Sequence, residues 1–212
     1  MGMQVFLDGE RLEGDSASIA SALSAGSARA RARGRIIIEA KADGEALTDG
    51  QLQGDIGGGA IRELRLLSAD PRNLVKVTLS DGAEALRALV DEQRRVATLV
   101  HQDQGQEAIP GLQGVFQTWQ TVRDLVDRSG AVLEADFGPL TLAGLPPGET
   151  VAGASARLLA HLRAVKHALG RQDWSALADL LEFELVDEAR AWERILNALA
   201  KHVGGMPPAV HA

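Results

Sequence analysis

The stretch Leu112-Gln113-Gly114-Val115-Phe116-Gln117-Thr118-Trp119-Gln120-Thr121-Val122-Arg123-Asp124-Leu125-Val126, continued to Leu133, decides the class of fold. Leu112, Val115, Trp119, Val122, Val126, Ser129 and Leu133 recur in steps of three and four, the spacing of one apolar seam on a long helix. The same pattern extends in both directions. Upstream, Asp70-Pro71 is a helix start: Asp caps, and Pro gives up an N–H that has no partner in a first turn. From there Val75, Leu79, Leu86, Leu89, Val90, Val96 and Val100 form a stripe to about His101, with Asp81-Gly82 read as an interruption. Val75, Val77 and Leu79 also alternate as a strand would, but the cap favours a helix. Downstream, Val151, Leu158, Leu162, Val165 and Leu169 precede Gly170. Asp173 then caps a fourth segment carrying Leu177, Leu180, Leu181, Leu185, Trp192, Ile195, Leu199 and Val203. Gly204-Gly205 and Pro207-Pro208 stop it, leaving a loose tail over 206–212. Four such helices with mostly short connections predict an up-down four-helix bundle over 70–205.

Residues 1–69 read differently. Met3, Val5 and Leu7 alternate with polar neighbours, Asp8-Gly9 suits a tight hairpin, and a return strand follows at Arg11-Leu12-Glu13. Asp15 or Ser16 caps a helix through Ile19, Ala22, Leu23 and Ala30, which Gly34 ends. Arg35-Ile36-Ile37-Ile38-Glu39-Ala40 is the most β-prone run and is expected as a central strand. A last strand is expected over Ile61–Leu67. Asp8-Gly9-Glu10-Arg11-Leu12 is echoed by Asp43-Gly44-Glu45-Ala46-Leu47, read as two strand–turn units with the same turn chemistry. The order hairpin, helix, strand, strand is similar to the β-grasp arrangement of ubiquitin-like domains. The expected class is therefore α+β, a small β-grasp-like unit followed by the bundle.

Composition narrows the chemistry. The 212 residues carry 34 Ala and 29 Leu but four Phe, three Trp and no Tyr, a palette for close-packed helices. No cysteine is present, which excludes disulfides, thiolate nucleophiles and Cys-ligated metal centres. The net charge of −7 argues against a dedicated nucleic-acid or anionic-membrane binder. The N-terminus lacks a basic region followed by an apolar run, and no stretch approaches the ~20 apolar residues of a membrane span. A cytoplasmic protein without cofactor is expected.

Several local constellations invite chemistry. Arg29, Arg31, Arg33 and Arg35 form a basic run. It sits at a predicted helix C-terminus, where cations suit the dipole, in a segment whose acidic residues outnumber its basic ones and with no interleaved aromatic to stack a base. An anionic ligand or acidic partner is the functional alternative. Gly54–Gly59 lacks the Lys-Ser/Thr of a phosphate loop and precedes a strand, so it reads as a turn. Gly204-Gly205 is similar to the diglycine ending of ubiquitin-like modifiers but lies seven residues before the end, and reads as a helix stop. None of the five histidines has a Glu three residues before it, and His161 and His167 are six apart, on different faces of one helix. They are expected at surfaces and helix ends. Glu184 and Glu188 share a face with no basic residue three or four positions away. They read as solvated, with acid–base work open to them if one were buried. Trp119 and Trp192 are expected in the core, their indole N–H groups needing acceptors, and Trp174 over a helix end.

The long apolar loop 135–149 carries Phe137, Leu140, Leu142 and Leu145, which must pack on the bundle or offer a contact surface. These features predict a non-catalytic interaction module (adaptor, scaffold or chaperone) with no catalytic or metal residues. Its partner is a protein or a second copy of the chain, with contacts at the arginine run and at Phe137, Leu142 and Leu145. The competing expectation is an enzyme or small-ligand binder with its site between the two halves.

Overall fold

A computed structural model describes residues 3–13, 18–48 and 61–206. It is a mixed α+β protein, with a small five-stranded sheet at the N-terminus and helices afterwards. The described residues separate into two compact units, 3–74 and 75–206. Asp15, Ser16, the 54–59 glycine run, His211 and the expected tail from 207 lie outside the described residues.

In the first unit the strands are β1 (Gln4–Leu7), β2 (Glu10–Arg11), β3 (Ile36–Ala42), β4 (Glu45–Ala46) and β5 (Glu63–Ala69), with helix α1 (Ile19–Arg31) between β2 and β3. The sheet order is β2-β1-β5-β3-β4. β1 runs parallel to β5, and the other neighbours are antiparallel. Both Asp-Gly pairs are two-residue hairpin turns with positive φ throughout: 51° and 85° at Asp8-Gly9, 48° and 93° at Asp43-Gly44. That is the conformation such turns require and that Asp and Gly tolerate. The repeated pentapeptide is thus a repeated hairpin.

Each turn aspartate also reaches β5. Asp8 accepts from the Ser68 N–H at 2.7 Å and the Ser68 hydroxyl at 2.6 Å, and Asp43 from the Glu63 N–H at 2.9 Å. β5 is pinned at both ends. Parallel pairing with β1 places β5 in the middle of the sheet, so the Ile-rich β3, expected to be central, lies between β5 and the two-residue β4. The return strand is Glu10–Arg11 rather than 11–13, because two-residue turn closure pairs Leu7 with Glu10 directly. Ser18 caps α1, with reciprocal bonds to Ser21.

One sheet face is covered. Val5, Leu7, Leu64 and Leu66 bury against Ala22 and Ala30 of α1, and Gly26 lets the helix sit directly on Leu66. The opposite face leaves Leu67 and Ile38 exposed, with Arg65 over the Phe6 ring at 5.8 Å.

The second unit is helical. α2 (Pro71–His101) starts in the first unit and continues as one rod of 31 residues. Gly82 does not break it. A Cβ there would stand 2.7 Å from Leu125 and 3.2 Å from Leu196, so this glycine allows close approach of neighbouring helices. α3 (Gly105–Leu133) follows. Gly111 lies against Val96, and this contact shares one antiparallel register with that of Gly82 and Leu125.

α4 (Val151–Arg171) comes next, then α5 (Trp174–Asp179), a π-helical turn (Leu180–Glu184) and α6 (Leu185–Gly204), the last three forming one continuous rod. Leu177, Leu181 and Leu185 are all fully buried. Steps of four advance about 40° beyond a full turn of α-helix, so three in line would wander off the core. The wide turn, closed by the Leu185 N–H on the Leu180 carbonyl, brings them back.

The expected seam of α3 is buried from Leu112 to Ser129. Trp119 lies fully inside, its Nε1–H donating to Gln93 at 3.2 Å, while the Gln93 amide donates to the Leu185 carbonyl at 3.2 Å. Phe137 is buried and Leu140, Leu142 and Leu145 pack against the same core, so the apolar loop belongs to the helical unit's interior surface.

Trp119→Ala removes one of the two indole rings of this core and strands Gln93. It should cost ~3–5 kcal/mol, read by chemical denaturation followed by circular dichroism.

The Ser68 hydroxyl and N–H, with Arg35 beside them, hold the Asp8 carboxyl below the usual carboxylate range despite some burial. The folded value being depressed, this stabilisation is present above the ordinary Asp value near 3.9 and is lost as pH falls through the lower folded value. Asp8→Asn keeps the turn conformation and should cost about 1–2 kcal/mol at neutral pH. Denaturant midpoints should show the gap to wild type closing below about pH 4.

Candidate functional site

Two places in the helical unit and one on the sheet merit chemical scrutiny. The first is a buried ionic cluster. The stripe of α6 runs Leu185, Trp192, Ile195, Leu199 and Val203, and Glu188 occupies the step between Leu185 and Trp192. It is only 3% exposed, so the reading of Glu188 as a solvated carboxylate is corrected: the helix phase turns it inward. A buried carboxylate needs a cation. Arg157 of α4 supplies it, bonding Glu188 through Nε and Glu149 of the preceding loop through Nη1. Burial works to lower the guanidinium's pKa, but the hydrogen bonds to Glu188 and Glu149 outweigh it and hold the group above its ordinary value. One fork thus ties the loop, α4 and α6 together.

His161, expected at a surface, is one turn further along α4 and faces Glu188 and Glu184. Its Nδ1 lies 3.6 Å from Glu188 Oε1 and its Nε2 3.8 Å from Glu184 Oε2, too far for hydrogen bonds. Glu149 Oε2, Glu188 Oε2, His161 Nδ1 and Trp192 Nε1 are buried without a hydrogen-bond partner, and no other side-chain atom among the described residues is in that state. Three of these four atoms, on Glu149, Glu188 and His161, belong to the cluster around Arg157 and Glu188. No group of three or more His, Cys, Asp or Glu among the described residues is arranged to hold a metal ion.

The second place is a cleft of about 250 Å³ lined by Val100, Asp103, Gly105, Gln106, Ile109 and Trp174. Asp173 caps α5 by accepting from the Ala176 N–H at 3.1 Å, which sets Trp174 at the first helical position. Its ring lies over Gly105, the start of α3, so the expectation of a covered helix end is met. Trp174 and Ile109 remain 42% and 44% exposed. The third place is the open sheet face, where Phe6, Lys41, Arg65 and Leu67 line a cleft of about 310 Å³. Its charges are satisfied locally, Lys41 by Glu39 at 2.7 Å and Arg65 by Glu63 at 2.5 Å.

The residues named from sequence fall as follows. Arg33 pairs with Glu10 at 2.6 Å, and Arg35 donates to the Ser68 hydroxyl and carbonyl at 2.7 and 2.5 Å. Arg29 and Arg31 are exposed at the end of α1. The four arginines are not brought together on one ligand. Phe137 is buried, and Leu142 and Leu145 are half-buried against the helices. Sequence reasoning missed Gln93, Arg157 and Glu149. Its available signal was a polar residue standing on an apolar stripe: Gln93 between Leu89 and Val96, His161 between Leu158 and Val165, Glu188 between Leu185 and Trp192.

Compared with family models, curated proteins and solved structures, the chain matches none.

Arg157→Met strands Glu188 in the core and should cost ~3 kcal/mol or more. Adding Glu188→Leu should recover most of that loss in equilibrium denaturation, because an apolar pair of similar volume removes the buried charge.

Proposed function

We propose that the protein is a non-catalytic interaction module, an adaptor, scaffold or chaperone that binds a protein partner. The observation that carries this reading is the exposed Trp174–Ile109 pair lining a cleft. Large apolar side chains grouped at a concave surface gain on the order of 2 kcal/mol each when a partner covers them. The finer architecture is part of the same proposal. The order β2-β1-β5-β3-β4 with β1 and β5 parallel supports a β-grasp assignment for the first unit. Four long helical rods, α2, α3, α4 and α5–α6, support a four-helix bundle for the second. No helix among the described residues is long and apolar enough to cross a membrane, which is compatible with the cytoplasmic location we infer.

The test is affinity capture from the native host with tagged wild type and the Trp174→Ala/Ile109→Ser variant. The wild type should retain one or more proteins in stoichiometric amounts that the variant loses. If the wild type retains nothing beyond the tag control, the interaction reading fails.

One observation favours a second reading, a small-ligand binder or enzyme: the three unpartnered polar atoms of Glu149, Glu188 and His161. Under that reading a polar metabolite should raise the melting temperature of wild type and leave Glu188→Gln unmoved.

A further inference from the structure

Resting on the interaction reading, we infer that the Trp174 cleft docks a basic amphipathic segment of a partner protein, its apolar side chain against Trp174 and Ile109 and its lysines or arginines against the surrounding carboxylates. The apolar part comes from the cleft itself. The choice of occupant comes from charge. The structure brings two distant segments to one end of the helical unit, 101–109 and 171–184, through the Trp174 ring on Gly105 and the approach of His101 Nε2 to Glu182 Oε2 at 3.6 Å. Next to the residues that line the cleft stand Glu107 and Asp173, with Glu182 near His101, against one guanidinium, Arg171. Asp103 lines the cleft, and Asp103, Glu107, Asp173 and Asp179 are all exposed.

An apolar cleft with Asp103 on its lining and Glu107 and Asp173 on adjoining residues selects its occupant twice. Like charges are turned away before contact, and opposite charges are steered in. A helix offering anchors three or four residues apart fits a groove of this kind. An acidic or neutral apolar partner would bury the same surface but leave these carboxylates facing charge or oil.

The experiment titrates the full-length chain with a synthetic Leu/Lys amphipathic peptide and with its Leu/Glu counterpart of identical apolar face. The readout is tryptophan fluorescence, since Trp174 is exposed whereas Trp119 and Trp192 are buried. The basic peptide should bind with a blue shift, and affinity should fall steeply between about 50 and 500 mM salt. Trp174→Ala, followed by anisotropy of a labelled peptide, and Ile109→Ser should each weaken binding about tenfold. Asp103→Asn/Glu107→Gln should weaken binding and flatten the salt dependence. The inference is overturned if the basic peptide does not bind, if the acidic peptide binds equally well, or if binding ignores the Trp174 and Ile109 variants. It is also overturned if light scattering shows that a second copy of the chain fills the cleft through Trp174. Partner capture from the host that survives such a failure would leave the interaction reading standing and reject only the basic occupant.

Discussion

The helical unit is organised around a carboxylate in the wrong place. Glu188 stands on an otherwise apolar stripe of α6, and its burial makes an uncompensated charge there prohibitive. Arg157 resolves this by bonding Glu188 and Glu149 at once. That fork fixes α4 against α6, and it fixes the end of the 134–150 loop against both. The loop's other anchors follow from this placement. The Val151 and Ala152 N–H groups donate to the carbonyls of Leu140 and Gly138, Phe137 enters the core, and Gly144 lies against Arg194. A buried pair of this sort adds little net stability over a hydrophobic isostere, but it penalises any helix phase or register that separates its members.

The same unit relies on three other departures from regularity, each with a local cause. Gly82 and Gly111 have no side chain because neighbouring helices come too near for one. The π-helical turn corrects the drift of leucines spaced four apart. Gln93 occupies a stripe position because Trp119 and the Leu185 carbonyl each need a partner in a place water does not reach. Without these devices the seam would still be apolar, but the helices would not find a single register. In the sheet unit the corresponding role falls to the two turn aspartates, which bind opposite ends of β5 and so relate both hairpins to the central strand.

What the interior does not absorb is left to solvent. The core takes in Phe137, Trp119 and Trp192, and it holds Leu142 and Leu145 against its surface. Trp174 and Ile109 are left in water beside the Asp103 carboxylate. The arginine run, the most conspicuous cluster in the sequence, is divided by the fold. Arg33 and Arg35 serve the sheet unit's own turns, and Arg29 and Arg31 remain at the surface.

Periodicity and capping chemistry are local, and for that reason the sequence alone determined the helices, their caps at Asp70 and Asp173, both hairpin turns and the buried seam from Leu112 to Ser129. Strand order, the central position of β5, the continuity of α2 through Gly82 and the inward turn of Glu188 were decided only in three dimensions. Each depends on a partner remote in the chain: β1 pairing in parallel with β5, Leu125 and Leu196 pressing on Gly82, Arg157 meeting Glu188. The Trp174 cleft belongs to the same class, because segments some seventy residues apart become one surface only when α5 is seated over the start of α3. A residue's own neighbours along the chain dictate its backbone. What its side chain meets is settled by the packing of helices and strands that the local sequence does not contain.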